Sequence, residues 1–328
     1  MDITTFTSKR FLVRAAPLTL ILVFLATLPL YGGVYYTRLL TTILMYVILS
    51  VSWAMFSGST GYMSLAPAAF FGVGIYTMGF LQNILPFPVI IPIGGLVSFI
   101  LALLVGLVTL RLRGIYFAIF TFGLVVFMSE VVAALESDLF GRVGQHINPL
   151  PDETIFYAML VTAVATLLAI YFIRRSRLGL SMLSIGGNEE AAEHMGVNTT
   201  RVKVLTFAIS AAFMGLVGVI MAPVKVYIDP RIAFSLSYSF MPILMSVFGG
   251  MGQFYGPVVG AVVFAYLEKT LRAQFPQYFM LGFGIILILV ILFLPNGIAG
   301  LVPKLQNRLG GVLAKLRKGG EAEQHANT

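Results

Sequence analysis

The sequence lacks cysteine and has few charged residues. With no cysteine, disulfide bonds and thiolate chemistry are excluded. Charged residues make up 10% of the 328 residues, compared with about 25% in a soluble domain. Hydrophobic residues make up 59%. A soluble protein with this composition would expose large apolar patches and aggregate, so the composition indicates a protein whose solvent is lipid.

The motifs of several common enzyme classes are also missing. There is no GxxxxGK[ST] phosphate loop, because the stretch GSTG at 58–61 lacks the lysine that would reach a phosphate. There is no HExxH helix and no GxSxG elbow. The three histidines, His146, His194 and His325, are too scattered to suggest a metal site. We therefore expect no catalytic residue, no metal and no cofactor bound by this chain.

Long apolar runs fill most of the sequence. They are roughly 20 residues long and do not alternate with polar residues, which favours membrane-spanning helices over strands. The candidate spans lie at 16–36, 39–57, 65–85, 88–110, 114–135, 154–173, 204–223, 235–250, 254–271 and 278–300. The predicted fold is an all-α, polytopic membrane protein with about ten transmembrane helices. The membrane domain spans 16–300, between a polar N-terminus at 1–15 and a basic tail at 301–328.

Basic residues are distributed unevenly about these spans. With the N-terminus inside, 15 of the 21 lysines and arginines fall in inner segments and 6 in outer segments. Because lysine and arginine are retained on the cytoplasmic side, this asymmetry predicts that both termini are cytoplasmic. The net charge of +8 is thus explained by orientation in the membrane, and we expect contact with lipid rather than with nucleic acid.

The longest polar interruption is the loop at 174–203. Its middle part, from Glu190 to Gly196, has the pattern EAAxxxG. Acids in a first turn suit the positive end of a helix, and Gly196 stands where a helix stop is expected. Small Ala191 and Ala192 would let another surface approach closely. The pattern predicts a short cytoplasmic helix that docks a soluble partner, and the alternative is a plain solvated loop helix.

Two glycine-rich stretches, at 58–67 and 249–257, each follow an apolar run. Glycine and proline break helices, and irregular backbone at membrane depth survives only inside protein or beside a water-filled path. Paired interruptions in a transporter indicate its substrate path, while the alternative is two ordinary tight turns. The candidate path residues are Ser64, Leu65, Pro67, Phe70, Gly252 and Gly256.

The predicted spans contain almost no ionisable groups. Glu130 lies towards the outer end of its span, and Glu268 lies near the end of another. Transporters coupled to protons or sodium carry acids or histidines near the midplane. Their near absence predicts that the driving energy comes from elsewhere. Glu130 itself is interpreted as an outer-interface residue that reaches water, and the alternative is a role in the substrate path.

Five fragments resemble known permeases. EAAxxxG on an inner loop resembles the EAA motif of ABC importer permeases, which docks on the ATP-hydrolysing subunit. The fragments at 57–77, 112–123, 189–218, 249–263 and 287–300 are, in this order, similar to LivM-type permeases of branched-chain amino acid importers. The chain departs from the pattern at Ala66 and Pro67, where the family usually has Gly-His or Gly-Gln. The outer glycine-rich loop near 140–150 is echoed only by Gly141 and Gly144.

The resemblance implies a permease subunit in the bacterial inner membrane. Its expected partners are a homologous second permease, two cytoplasmic ATP-binding subunits that hold the ATP, and an extracytoplasmic substrate-binding protein. The residues implied in coupling to the ATPase are Glu189, Glu190, Ala191, Ala192, Glu193 and Gly196. The implied substrates are branched-chain or other small amino acids, with urea, short amides and small carboxylates as alternatives. An ion-coupled secondary transporter or a channel is the competing class.

The charge asymmetry makes a direct prediction about the polar loop. A reporter enzyme fused after Arg177 should be located in the cytoplasm, because the basic cluster around it is retained there. The measurement is reporter activity in intact cells, using paired reporters that are active on opposite sides of the membrane. Periplasmic activity at this position would overturn the ten-span topology.

Overall fold

The computed structural model describes residues 24–29, 31, 33–274, 284, 285 and 297. The predicted N-terminus at 1–15, the tail at 301–328 and nearly all of the span at 278–300 lie outside these residues. Much of the predicted span at 16–36 lies outside them as well.

The described part is built almost entirely of α-helices. They are α1 (Gly33–Trp53), α2 (Pro67–Leu81), α3 (Phe87–Thr109), α4 (Ile115–Phe140), α5 (Asp152–Arg175), α6 (Arg177–Gly187), α7 (Glu189–His194), α8 (Thr199–Met221), α9 (Pro230–Ala233), α10 (Ser237–Gly249) and α11 (Gly256–Gln274). Helix α1 continues into a π-helical turn at Ala54–Gly58, and α8 into a 3-10 turn at Ala222–Val224. Two short strands, β1 (Gln145–His146) and β2 (Tyr227–Ile228), pair antiparallel.

Six segments of the described chain are long and apolar enough to cross a membrane. They are Gly33–Gly58, Phe87–Thr109, Ile115–Leu139, Asp152–Arg175, Thr199–Val224 and Pro230–Gly249. The prediction of an all-helical, multi-pass membrane protein is confirmed.

Two of the predicted spans form helices that do not meet this standard. The span at 65–85 forms only the 15 residues of α2. At 1.5 Å per residue, α2 is about 22 Å long, which is shorter than the roughly 30 Å hydrocarbon core. The span at 254–271 forms α11, whose last turns carry Glu268, Lys269 and Arg272. Within the described residues, six segments therefore meet the length and composition of a span, compared with the ten spans that the sequence predicts.

Helices α1 and α8 form the centre of the molecule, and α8 packs most widely against α3 and α2. Small residues allow these close approaches. A side chain at Gly74 of α2 would overlap the backbone of Gly215 and Gly218 on α8. A side chain at Gly215 would overlap Ser98 of α3. Because lipid provides no hydrophobic force between helices, such close packing is what holds them together.

Serine side chains add hydrogen bonds between the central helices. Ser210 Oγ of α8 donates to the carbonyl of Ser52 at 2.9 Å, and Ser246 Oγ of α10 donates to the carbonyl of Ser50 at 2.9 Å. Both acceptors belong to the last turn of α1, directly before the π-helical turn. The end of α1 is thus fixed from two sides at the point where the helix changes its winding.

The close contact between α2 and α8 can be tested with a bulky substitution. Gly74→Val should overlap backbone atoms of α8, which cannot rotate away. Overpacking costs roughly 1–3 kcal/mol, and we expect the upper part of this range. The matched control is Gly123→Val on α4, where an added Cβ has no neighbour within 4 Å. The measurement is the fraction of monodisperse protein left after heating in detergent, and equal survival of both variants would contradict the tight contact.

Candidate functional site

The predicted short helix is α7, which lies between α6 and α8. It occupies the end of the molecule at which α3 ends and α4 begins. Leu110, the residue after α3, and Arg113, in the turn before α4, both lie within hydrogen-bonding reach of the α7–α8 region. The helix has six residues, and a peptide this short does not form a stable helix in water by itself. Its ends and its neighbours must therefore hold it.

Both ends of α7 are capped. The N–H of Ala191 donates to Asn188 Oδ1 at 3.0 Å, which satisfies a free donor of the first turn. At the other end, the N–H of Val197 donates to the carbonyl of Ala192 and the N–H of Gly196 to that of Glu193. This pair of bonds is a Schellman motif, in which Gly196 adopts φ +87°, a conformation that favours glycine. The predicted stop at Gly196 is confirmed.

The inner face of α7 is anchored by a buried ionic network. Lys203 Nζ donates to Glu189 Oε1 at 2.6 Å, to Tyr62 Oη at 3.0 Å and to the carbonyl of Leu110 at 3.2 Å. The hydroxyl of Tyr62 donates to Glu189 Oε2 at 2.6 Å. Ala192, on the same face, is fully buried. The network joins α7, α8, the end of α3 and the segment before α2.

This network satisfies every hydrogen-bonding group of the buried ammonium. A lysine ammonium has three N–H donors, and Lys203, with 4% of its side chain exposed, has three acceptors. Burial raises the pKa of Glu189, but hydrogen bonds from Lys203 and Tyr62, together with the charges of Lys203 and Arg113, outweigh burial and hold that pKa below its usual value. Glu189 is therefore ionised at neutral pH, as the pairing requires.

The outer face of α7 is open to solvent. Glu190, Ala191, Glu193 and Gly196 are exposed. Glu190 approaches Arg113 at 3.4 Å, but both side chains are largely exposed and such a pair contributes little to stability. Of the six predicted coupling residues, these four lie on the surface. The other two face into the chain: Ala192 is fully buried, and the side chain of Glu189 is 13% exposed.

An apolar rim borders this polar face. Met195, directly after α7, is 72% exposed, and Leu180 and Leu183 of the neighbouring α6 are 64% and 57% exposed. Exposed apolar side chains beside a capped polar helix form a surface suited to a protein partner. The spacing of EAAxxxG did not reveal this rim. The sequence signal that could have indicated the rim is the leucine-rich stretch RLGLSML in α6, at 177–183.

The first glycine-rich stretch is non-helical over residues 61–66. Its backbone is satisfied by side chains from three helices. Trp53 Nε1 of α1 donates to the carbonyl of Ser64 at 2.7 Å. The N–H of Leu65 donates to Thr121 Oγ1 of α4 at 2.9 Å, and Ser239 Oγ of α10 donates to the carbonyl of Leu65 at 2.9 Å. Irregular backbone is stable here because protein groups replace the missing helical bonds.

The other predicted path residues lie in different surroundings. Pro67 is the first residue of α2, and Phe70 is buried against Phe207, with 5.3 Å between the ring centroids. Gly256 begins α11, and a side chain there would overlap the carbonyl of Gly250. Gly252 is exposed, with no atom within 4 Å of an added Cβ. Phe70 and Gly256 thus serve close packing between helices.

The α6–α7 region and the first glycine-rich stretch are in direct contact. Tyr62 belongs to that stretch and bonds Glu189 of α7. Gly186 of α6 lies so close to the carbonyl of Ser59 that a side chain there would overlap it. The two stretches of glycine also meet, since an added Cβ at Gly58 would lie 3.2 Å from Met251 Cβ. Any displacement of α7 therefore acts directly on residues 59–62.

Within the ranges that the structure describes, no three side chains of histidine, aspartate or glutamate come together in a way that could hold a metal ion.

Comparison with known proteins identifies the family. A family model described as "Branched-chain amino acid transport system / permease component" matches residues 35–291. The chain belongs to this permease family. The resemblance carried by the five sequence fragments is confirmed, and the protein is a membrane permease of the ABC transport type.

Relatives of the permease family match this chain over different lengths. The high-affinity branched-chain amino acid transport system permease protein LivM of Salmonella typhimurium is 27% identical over 309 residues, which is 82% of this chain and 71% of that protein. LivM of Escherichia coli is 26% identical over 79% of this chain and 68% of that protein. The Haemophilus influenzae ribose import permease protein RbsC is 26% identical over 49% of this chain and 50% of that protein. No solved structure matches the chain.

The buried network predicts a sharp difference between two neighbouring glutamates. Glu189→Gln removes the counter-charge of Lys203, and an unpaired buried charge costs roughly 3–5 kcal/mol. Glu190→Gln, the matched control, removes only an exposed pair and should change stability by less than about 1 kcal/mol. The measurement is thermal unfolding of the purified permease in detergent. Equal unfolding temperatures for the two variants would contradict the anchoring role of Glu189.

Proposed function

We propose that the chain is the transmembrane permease subunit of an ABC importer that carries branched-chain or other small amino acids across the bacterial inner membrane. The proposal is supported by the family match and by the similarity to LivM over 82% of the chain. The permease itself performs no chemistry, and ATP is hydrolysed by partner subunits. Both termini lie in the cytoplasm.

Three kinds of partner complete the transporter. The chain pairs with a homologous second permease, two cytoplasmic ATP-binding subunits drive it, and an extracytoplasmic binding protein delivers the substrate. A second permease is supported by the similarity to LivH of Escherichia coli, a permease protein of the same named system, which is 32% identical over 162 residues and 48% of this chain.

The single observation that carries the proposal is the two-sided construction of α7. Its outer face presents Glu190, Ala191, Glu193 and Gly196, and we assign these residues to contact with the ATPase. Its inner face is fixed through Glu189 to Lys203 and Tyr62. A helix that is exposed on one side and held by ionic contacts on the other can transmit a displacement of its partner to the rest of the chain.

The ionic contacts of Glu189 also determine which part of the chain a movement of α7 reaches. When the ATPases close, α7 moves with them as a rigid body. Tyr62 passes this movement to residues 61–66, whose backbone is bonded to Trp53, Thr121 and Ser239. These side chains belong to α1, α4 and α10. The movement thus reaches three helices through one irregular segment.

The proposal retains ten spans and two glycine-rich breaks. Helices α2 and α11 are embedded beside the six segments that meet the length and composition of a span. The apolar runs at 16–36 and 278–300 contribute the remaining two. The non-helical residues at 61–66 and 250–255 are the breaks. We place the six candidate residues near the path, namely Ser64, Leu65, Pro67, Phe70, Gly252 and Gly256.

The substrate class rests on the relatives. LivM is named for branched-chain amino acids, while the ribose permease RbsC matches only 49% of this chain. Urea, short amides and small carboxylates are alternatives that the same framework would accommodate. An ion-coupled secondary transporter or a channel is the alternative of another class.

Uptake into vesicles separates these functions. Right-side-out vesicles that contain the transporter, with the binding protein added outside, should accumulate radiolabelled L-leucine only when ATP is enclosed in the vesicle lumen, which is the cytoplasmic side. Urea and acetamide, tested in parallel, should not compete. Uptake that persists without ATP but stops when the ion gradient is collapsed would overturn the ABC importer.

The docking face makes a prediction about a single exposed position. Ala191→Trp adds bulk on the outer face of α7 without touching its caps or anchor. We expect at least a tenfold loss of ATP-driven uptake and loss of the co-purifying ATPase, with normal membrane insertion. The matched control is Leu104→Trp, at an exposed position of α3, which should transport normally. Full uptake by Ala191→Trp would contradict the docking role of α7.

A further inference from the structure

A cavity lies between α4 and the segment that joins α9 to α10. Its volume is ≈ 380 Å³, which falls within the usual range for small-molecule sites. Helix α4 contributes Val125, Val126, Ser129 and Glu130, and the opposite wall runs from Arg231 to Ser237. None of these positions belongs to a sequence motif, although Glu130 is a rare charge within a predicted span.

Two opposite charges line this cavity without pairing. Glu130 and Arg231 are both exposed, and neither forms an ion pair or side-chain hydrogen bond with another residue that the structure describes. Glu130 lies within the span Ile115–Leu139, whereas Arg231 is the second residue of the span Pro230–Gly249 and lies at its end. At 1.5 Å per residue, Glu130 lies roughly 22 Å along the 26-residue α4 from its start, well inside the helix.

These charges indicate whether the cavity faces lipid or water. A charged side chain that faces hydrocarbon is costly, and ionisable groups in spans almost always face a water-filled cavity or a partner charge. Glu130, well inside its span, cannot be turned towards lipid without a large penalty. The cavity therefore opens to water within the transporter.

The backbone at the cavity is irregular as well. The span Pro230–Gly249 is interrupted between Ala233 and Ser237, where α9 ends and α10 begins. Discontinuous helices of this kind form the substrate sites of many transporters, because their loops offer polar groups at membrane depth. The hydroxyls of Ser235 and Ser237 stand at this interruption and line the cavity.

The cavity walls are tied to the segment that α7 acts on. Thr121 lies one turn before Val125 on α4 and accepts the N–H of Leu65. Ser239 lies two residues after Ser237 on α10 and donates to the carbonyl of Leu65. A displacement of residues 61–66 therefore changes the separation of the two walls. The cavity is placed where coupling would open and close it.

We propose that this cavity binds a zwitterionic α-amino acid with a small apolar side chain. The carboxylate of Glu130 takes the ammonium group, and the guanidinium of Arg231 takes the carboxylate. Val125, Val126 and Phe234 provide the apolar contact for the side chain. A neutral sugar or urea would leave both charges without a counter-charge. The assignment rests on the proposed function in one respect, namely that the cavity lies on a transport path.

The absence of native cysteine allows a direct test of water access. Ser129→Cys places a single thiol in the cavity, and Leu104→Cys, on the exposed face of α3, is the lipid-facing control. Membranes that contain the full transporter are treated with trimethylammonium-ethyl methanethiosulfonate, and labelling of this chain is followed by mass spectrometry. We expect Ser129→Cys to react at least tenfold faster than Leu104→Cys. Equal rates would show that the cavity faces lipid and would overturn the proposal.

Protection by ligand then tests the charge pair. L-leucine should slow the labelling of Ser129→Cys at least fivefold, whereas isopentylamine and 4-methylpentanoate, which each carry one of its two charges, should have little effect. Adding Glu130→Gln or Arg231→Gln should remove the protection, and adding Glu153→Gln, an exposed acid at the start of α5, should leave it intact. Equal protection by the one-charge analogues, or protection that survives both cavity substitutions, would overturn the proposal.

The outcome is separable from that of the proposed function. Labelling and protection are measured without ATP, while the ABC importer is tested by ATP-driven uptake. Protection that requires Glu130 and Arg231, combined with uptake that follows an ion gradient, would keep the site and reject the ABC mechanism. ATP-driven uptake without protection would keep the mechanism and reject the site.

Discussion

The charge of one buried ammonium group, that of Lys203, organises the end of the molecule at which α7 lies. A lysine side chain on an apolar helix requires acceptors for all three of its N–H groups and a negative partner nearby. Glu189, Tyr62 and the carbonyl of Leu110 supply them, and each comes from a different element. Removing any one of these groups would leave polar atoms buried without partners. The position of α7, the turn after α3 and the start of the segment 61–66 therefore depend on one another.

The same requirement explains the irregular segment before α2. Its carbonyl and N–H groups cannot bond within a helix, and lipid offers them nothing. Trp53, Thr121 and Ser239 replace those bonds from three directions. A segment held by side chains can shift between alternative sets of partners more easily than a helix can. It is thus both a support for the fold and the natural place for a conformational change.

The sequence predicted the helical membrane fold because composition and run length determine the solvent and the type of spanning element. It also predicted the ends of α7, since Gly196 and the acids of the first turn act locally. It did not predict that Glu189 and Ala192 face inward, because the partner Lys203 lies on the following helix and Tyr62 is 127 residues away along the chain. The cavity at Glu130 and Arg231 was missed for the same reason. Those two side chains are separated by about a hundred positions, and only the packing of α4 against the α9–α10 segment brings them to one place.

The contacts of α7 limit which of its residues can be substituted during evolution. Gly196 is restricted by its φ of +87°, but the outer residues Glu190 and Ala191 are free to vary, because their side chains bond little within the chain. Its inner residues are not, since Glu189 is matched to Tyr62 in one part of the chain and to Lys203 in another. Transplanting the loop alone into a different permease would separate Glu189 from both partners. Helix α7 is therefore not an interchangeable module, because its position depends on the tyrosine and the lysine that hold it.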